Sequence, residues 1–126
     1  MRQLLNYLVI MAGAAAGGAF RFFVSSEIVS RFPGRFPLAT FLINVTGSFG
    51  IGILMTLFTE RSTPHPYWRL GLVVGFLGGY TTFSSFEWET LFAARSGSGW
   101  IALTYVLSSV IAGYAAVWLG NLITRQ

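Results

Sequence analysis

The sequence contains no cysteine, no lysine and no aspartate, and it has a single histidine. Without cysteine the chain forms no disulfide, offers no thiol nucleophile and ligates no metal through sulfur. The one histidine, His65, lies between two prolines in a polar stretch and has no second ligand near it in sequence. The sequence thus offers neither a nucleophile–base pair nor a cluster of metal-ligating side chains, and we expect that the protein is not an enzyme.

Charged residues of any kind are scarce. They make up 10% of the chain, whereas a soluble domain carries about a quarter. Hydrophobic residues make up 54%, and the mean hydropathy is +0.66. So few charges do not cover the surface of a soluble domain. The net charge of +4 would suit a nucleic-acid partner only if the arginines formed one basic face. They are scattered singly between apolar runs, so we expect no nucleic-acid binding.

Long apolar runs dominate what remains. A helix that crosses a bilayer needs about 20 mostly apolar residues. The chain supplies such runs at residues 4–30, 38–59, 68–94 and 99–123. The loops between them are too short for a folded extramembrane domain. We therefore predict an all-α integral membrane protein with one four-helix transmembrane domain over residues 1–126. Arg2 and the apolar run after it also fit a cleaved leader, but we expect the first span to be retained.

The arginines are divided equally between the two sides of the membrane that four spans define. Both termini and the middle loop share one side, which carries Arg2, Arg61, Arg69 and Arg125. The other side carries Arg31, Arg35 and Arg95, with Arg21 close to it. An excess of arginine and lysine normally fixes the cytoplasmic side. A chain without that excess is expected to insert both ways and to pair as an antiparallel dimer, unless so small a count has no meaning.

Small residues recur at four-residue spacing within the spans, as in Gly13-xxx-Gly17, Ser48-xxx-Gly52 and Gly71-xxx-Gly75-xxx-Gly79. Such spacing lets two membrane helices approach closely. It serves packing within the chain as well as it serves dimerisation, and the sequence leaves both uses open.

The third span contains a weak point for a helix. Gly78 and Gly79 are followed by Tyr80 and then by Thr81 and Thr82. Irregular backbone inside a membrane is tolerated only where it is buried in protein or lines a site, and the carbonyl groups freed at a broken helix bind cations in transporters. The alternative is a continuous helix in which the glycines allow close packing.

Neutral polar and aromatic side chains are the candidates for a pathway through the membrane. Phe83 and Phe86 share a helix face, and the positive edges of their rings suit a small anion. Asn44 is a strong neutral donor in the second span. Tyr105 and Ser109 lie on a polar stripe of the last span, which either holds helices together or lines a path. Neutral donors suit an anion that must be bound weakly enough to leave again.

These residues resemble the motifs of the Fluc (CrcB) fluoride channels. The segment from Gly75 to Glu89 resembles the third-helix motif of that family. Supporting matches are Gly17-Gly18-Ala19-Phe20-Arg21-Phe22, residues 37–49 with Asn44 and Gly47-Ser48-Phe49, and Tyr105-xxx-Ser109. The matches occur in order along essentially the whole chain, and together they are highly specific.

The resemblance implies a fluoride-selective channel that passively exports fluoride across the cell inner membrane and lowers its cytoplasmic concentration. It implies a multi-pass antiparallel dual-topology homodimer in the lipid bilayer, with the third helix broken in mid-membrane. The fluoride pathway then comprises Phe83, Phe86, Asn44, Tyr105 and Ser109, to which we add Thr40 and Ser84. Further assignments are Arg21 and Glu87 as candidates for the vestibule or for gating, and the backbone carbonyls of Gly78 and Thr81 as ligands of a structural Na⁺ at the dimer interface.

The sequence departs from the family pattern at two positions. Gly113 stands where some members continue the polar track with serine, and Ala39 stands where glycine is frequent. A proton-coupled multidrug exporter with four helices is the main alternative. It would need a carboxylate well inside the first span, where this chain has only Glu27 near the end. A non-transporting anchor is a third alternative, but it has no use for a broken helix or a polar stripe.

Overall fold

The computed structural model describes residues 1–61 and 65–126, and within these ranges all regular structure is helical. Helix α1 is Arg2–Arg31. Phe32 caps its C-terminal end, and the N–H of Phe32 still donates to the carbonyl of Ile28 at 2.8 Å. The helix goes no further because Pro33 disfavours helical backbone at the residue before it. Helix α2 is Leu38–Thr56, and it continues as a wider π-helical turn over Leu57–Arg61.

The second half of the chain forms three more helices. Helix α3 covers residues 66–80 without interruption, as Pro66–Trp68, a π-helical piece Arg69–Leu77, and Gly78–Tyr80. Helix α4 is Phe83–Arg95 and helix α5 is Gly99–Arg125. Between α4 and α5 the chain turns at Gly97, whose φ of 76° is a conformation that favours glycine.

Three stretches are long and apolar enough to cross a membrane, namely Arg2–Arg31, Leu38–Glu60 and Gly99–Arg125. They correspond to three of the four predicted spans. The region predicted as the remaining span is divided between α3 and α4, and neither alone reaches the length of about 20 residues that a crossing needs. The predicted all-helical architecture is thus confirmed for the described residues.

Helices α1 and α3 pack at the small residues that the sequence singles out. A Cβ added at Gly75 would lie 3.0 Å from the Cα of Gly13, and one added at Gly79 would lie 3.0 Å from the Cα of Ala14. A Cβ added at Gly17 would lie 3.0 Å from the backbone nitrogen of Tyr80. Only glycine therefore lets these two backbones touch, and the small residues serve packing within the chain.

Helices α2 and α5 run side by side in the same direction with a constant register. A Cβ added at Gly52 would lie 3.0 Å from the carbonyl carbon of Val117. One turn further, Asn121 donates to the hydroxyl of Thr56 at 2.7 Å. At the far end Arg125 donates to Glu60 through Nε at 2.7 Å and Nη2 at 3.0 Å. Each residue of α2 in this seam therefore faces the residue of α5 that lies 65 positions later.

Most large apolar side chains lie on the outside. The buried cluster consists of Ile43, Leu77 and Tyr80 with a few partly buried neighbours. In contrast, Phe22 and Tyr114 are each 76% exposed and Trp100 is 74% exposed. Soluble monomers rarely expose so much apolar surface, and this surface suits contact with lipid or with another protein.

Candidate functional site

The helical hydrogen bonding is interrupted between α3 and α4. Thr81 has a ψ of 158° and Thr82 has a φ of −150° and a ψ of 119°, which is extended backbone. In a continuous helix the N–H of Thr82 would donate to the carbonyl of Gly78. Here it donates to Oδ1 of Asn44 at 2.9 Å, while Nδ2 of Asn44 donates to the carbonyl of Thr82 at 3.0 Å. The amide of Asn44 thus satisfies both backbone groups of one extended residue.

Each side of the interruption is also capped locally. On the α3 side, the N–H and the hydroxyl of Thr81 both donate to the carbonyl of Leu77, at 3.0 and 2.9 Å. On the α4 side, the Thr82 hydroxyl accepts from the N–H of Ser85 at 3.3 Å, as an N-cap residue does. Arg21 of α1 donates from Nη1 to the carbonyl of Thr81 at 3.4 Å. The interruption is therefore held from α1 and α2 as well as by its own side chains.

A groove of about 260 Å³ opens beside the interruption. We call it the polar groove, and its lining is Asn44, Ser48, Thr82, Phe83, Phe86, Ser109 and Val110. No charged side chain of the described residues is part of that lining. Phe86 is 9% exposed, Phe83 is 73% exposed, and their ring centroids are 5.9 Å apart. The hydroxyl oxygen of Ser109 is buried and has no hydrogen-bond partner in the part of the chain that the structure describes.

The polar groove has the chemistry of a weak anion site. Asn44 Nδ2 carries two N–H bonds, one of which goes to Thr82, so the other is free for a ligand. The hydroxyl of Ser109 is a second neutral donor. A buried hydroxyl without a partner is costly, and an anion in the groove would supply that partner. Because no fixed positive charge is present, an anion would also be able to leave.

Glu89 of α4 organises a second cluster next to the polar groove. It accepts a hydrogen bond from the hydroxyl of Thr40 at 2.7 Å and one from the hydroxyl of Tyr105 at 2.7 Å. Tyr105 is fully buried, and its ring centroid lies 5.0 Å from that of Phe86 and 5.3 Å from that of Phe36. Glu89 lines two cavities, of about 290 and 520 Å³. It connects the buried tyrosine to both.

The predicted pathway residues therefore fall into two groups. Asn44, Phe83, Phe86 and Ser109 meet at the polar groove, whereas Thr40 and Tyr105 direct their hydroxyls to Glu89. Ser84 is exposed and is not part of the groove lining.

The charged candidates and Glu89 lie elsewhere. Arg21 contacts the interruption and Glu87 is exposed on α4. The sequence alone predicts no function for Glu89, although this residue shares a helix face with Phe86, three residues earlier. Glu27, the carboxylate that a proton-coupled exporter would need, is 45% exposed and pairs with Arg31 at 2.7 Å.

The predicted sodium ligands can be tested against the backbone at the interruption. Among residues 1–61 and 65–126 no group of three acidic or histidine side chains could hold a metal, so a cation there would depend on carbonyl oxygens. Gly78 loses its helical donor because the N–H of Thr82 is diverted to Asn44. The carbonyl of Thr81 accepts from Arg21, which leaves one of its two lone pairs. Carbonyl oxygens are ligands of the type that a hard cation binds, but the guanidinium of Arg21 beside Thr81 opposes a second positive charge there.

Comparison with known proteins identifies the family. The family description "CrcB-like protein, Camphor Resistance (CrcB)" matches residues 8–121. The chain belongs to the CrcB family. A relative from Solibacter usitatus, named fluoride-specific ion channel FluC, is 57% identical over 122 residues, which cover 97% of this chain and all of the relative. A FluC from Acidobacterium capsulatum is 44% identical over 97% of this chain and 98% of its own length.

The extent of the match and the lengths of the helices together show how the protein relates to the membrane. A FluC of Coxiella burnetii is 43% identical over 97% of this chain and 99% of its own length, so the match covers nearly the whole of both chains. Together with three helices of spanning length, this makes the protein a multi-pass membrane protein.

Proposed function

We propose that the protein is a fluoride-selective ion channel that passively exports fluoride and lowers its cytoplasmic concentration. The observation that carries the proposal is the polar groove, in which a buried and unpaired hydroxyl of Ser109 lies with the amide of Asn44 and the ring of Phe86. Relatives of 57% and 44% identity along the whole chain are named fluoride-specific ion channels. As a member of a channel family the protein is not an enzyme.

The lining of the groove suggests how fluoride would be selected. Removing water from a small anion is costly unless hydrogen-bond donors replace it. Asn44 and Ser109 bring neutral donors to the groove, and the rings of Phe83 and Phe86, which also line it, have positive edges that suit an anion. The donors are neutral, so binding compensates for lost hydration without trapping the ion. Thr40 and Tyr105 would extend the pathway toward the cavities at Glu89 if their hydroxyls, which each have one donor, turn from that carboxylate to the ion.

A second copy of the chain completes the pathway in this proposal. The groove is open on one side, where Phe83 is 73% exposed and Val110 is 64% exposed. Lipid on that side would expose fluoride to hydrocarbon, whereas an antiparallel partner would enclose it. The equal distribution of arginines between the two sides supports insertion in both orientations. The proposed assembly is a dual-topology homodimer in the cell inner membrane, with the interruption at Thr81 and Thr82 in mid-membrane.

A structural sodium ion belongs to the same proposal. The carbonyl groups of Gly78 and Thr81 would hold it, together with those of the second copy. The ion would neutralise carbonyl dipoles that the interruption leaves without helical donors. Arg21 would remain a neighbour of Thr81 and raise the local anion concentration in the vestibule.

The test is efflux from liposomes that contain the purified protein, measured with a fluoride electrode and repeated with chloride. We expect fast fluoride release and no chloride release. Phe86→Ile removes the ring from the groove and is expected to abolish fluoride release. Phe22→Ile, at a ring that is 76% exposed on α1, is the matched control and should conduct like the unmodified protein.

The possible outcomes separate the function from the site. Silence of the unmodified, well-folded protein for fluoride would refute the proposed channel. Fluoride release that persists in Phe86→Ile would leave the channel in place and remove the polar groove as its pathway.

A further inference from the structure

The seam between α2 and α5 passes directly through the polar groove. Asn44 and Ser109 are 65 positions apart and both line the groove, so they form one rung of the register described above. The next rung pairs Ser48 with Gly113, where a Cβ added to the glycine would lie 3.7 Å from the Ser48 hydroxyl oxygen. Successive rungs are about 6 Å apart along the helices. At this second rung α5 has no side chain, and any polar group must come from α2.

The hydroxyl of Ser48 is available for a ligand. Serine and threonine inside helices commonly bond back to a carbonyl of the preceding turn. Thr46 does so to Leu42 at 2.7 Å and Thr56 does so to Gly52 at 2.7 Å. Ser48 lies between them on the same helix and has no hydrogen-bond partner among residues 1–61 and 65–126. The hydroxyl of Ser109 in the same groove also has no hydrogen-bond partner among the described residues.

We propose that Ser48 is a further residue of the fluoride pathway, which receives the ion after Asn44 and Ser109 and donates to it opposite Gly113. The proposal rests on the proposed channel function. Both helices would then contribute a donor to the first rung, and α2 alone would contribute one to the second. The third rung, Gly52 with Val117, offers no polar side chain. Ser48 is thus the last side-chain donor of the groove in this direction.

The geometry permits an unusually direct test, because the hydroxyl can be moved across the seam. A Cβ at position 113 meets nothing closer than the Ser48 oxygen at 3.7 Å, which is ordinary contact, so serine fits there. We expect Ser48→Ala to slow fluoride efflux about tenfold, since one hydrogen bond to the anion is lost. The double variant Ser48→Ala with Gly113→Ser restores a hydroxyl at the same rung and should recover most of the flux.

Ser108→Ala is the matched control. Its hydroxyl donates to the carbonyl of Tyr105 on its own helix at 3.3 Å and lies outside the groove lining. We expect this variant to conduct like the unmodified protein. Elution volume in detergent and the denaturant midpoint report whether each variant is folded.

The outcomes distinguish this inference from the function on which it rests. If the unmodified protein releases no fluoride, the proposed channel fails and this inference fails with it. If the unmodified protein conducts and Ser48→Ala conducts equally fast, the channel stands and Ser48 is not on its pathway. If Ser48→Ala is slow but Gly113→Ser does not restore the flux, the serine acts through packing and the inference is overturned. Slowing with restoration supports it.

Discussion

Asn44→Ala is the substitution that the interruption between α3 and α4 makes most informative. The asparagine amide donates to the carbonyl of Thr82 at 3.0 Å and accepts from its N–H at 2.9 Å. Alanine removes both bonds and leaves two backbone groups without partners. An unsatisfied buried polar group costs about 1–3 kcal/mol, whereas interhelical bonds in membranes average about 0.6 kcal/mol. Because water in the adjacent groove can rehydrate part of Thr82, we expect a loss of about 2–4 kcal/mol.

Equilibrium unfolding in mixed detergent micelles, followed by tryptophan fluorescence, measures this loss. Hydrogen exchange of a peptide that spans residues 79–84 measures the local effect, and its amides should exchange faster in the variant. Asn121→Ala is the control, because that side chain donates one bond to a hydroxyl and not to backbone; we expect a loss of about 1 kcal/mol. If Asn44→Ala unfolds like the unmodified protein and exchange at residues 79–84 is unchanged, the amide of Asn44 does not hold the interruption.

Two further predictions concern packing and the cluster at Glu89. Gly17→Ala places a Cβ 3.0 Å from the Tyr80 nitrogen and is expected to lower the free energy of unfolding by about 2–3 kcal/mol. The adjacent Gly18→Ala meets nothing within 4 Å and should leave stability unchanged or raise it by up to about 1 kcal/mol. Equal midpoints for this pair in denaturant titrations would contradict the α1–α3 contact. Tyr105→Phe removes the 2.7 Å bond to Glu89 and should cost about 1–3 kcal/mol in the same titration; an unchanged midpoint would count against the cluster.

The sequence predicts the helical architecture well because its evidence is local. Long apolar runs without charges lead directly to helices such as Leu38–Glu60 and Gly99–Arg125. The weak point at Gly78 and Gly79 is also visible in the sequence, but the sequence does not show whether the helix is interrupted there. Whether Thr81 and Thr82 leave the helix depends on a partner, and that partner is an asparagine 38 positions earlier.

The sequence predicts which residues form the site better than it predicts how they are arranged in space. Asn44, Phe86 and Ser109 are recognisable as neutral or aromatic side chains in apolar spans, and they meet in one groove. The separation of Thr40 and Tyr105 into a cluster at Glu89 could not be predicted, since the hydrogen bond from Thr40 joins residues 49 positions apart.

The sequence also does not predict which residues of α2 lie opposite which residues of α5. Nothing local indicates that Ser48 faces Gly113. The hydroxyl of Ser48 can therefore be recognised as a candidate only from the contacts between α2 and α5.

The pair of hydrogen bonds between Asn44 and Thr82 also bears on the order in which the membrane-embedded chain folds. Asn44 belongs to a helix that is synthesised before α3 and α4, and its amide is the only group outside them that pairs with Thr82 among the described residues. Before α2 docks, residues 66–95 keep their backbone groups satisfied in lipid only as one unbroken helix. In the proposed topology we therefore expect the third crossing to be inserted as an unbroken helix, and the interruption to form afterwards, when Asn44 replaces the helical bonds of Thr82. On this reasoning the interruption is a product of helix assembly, because the third segment by itself lacks the partner that Thr82 needs.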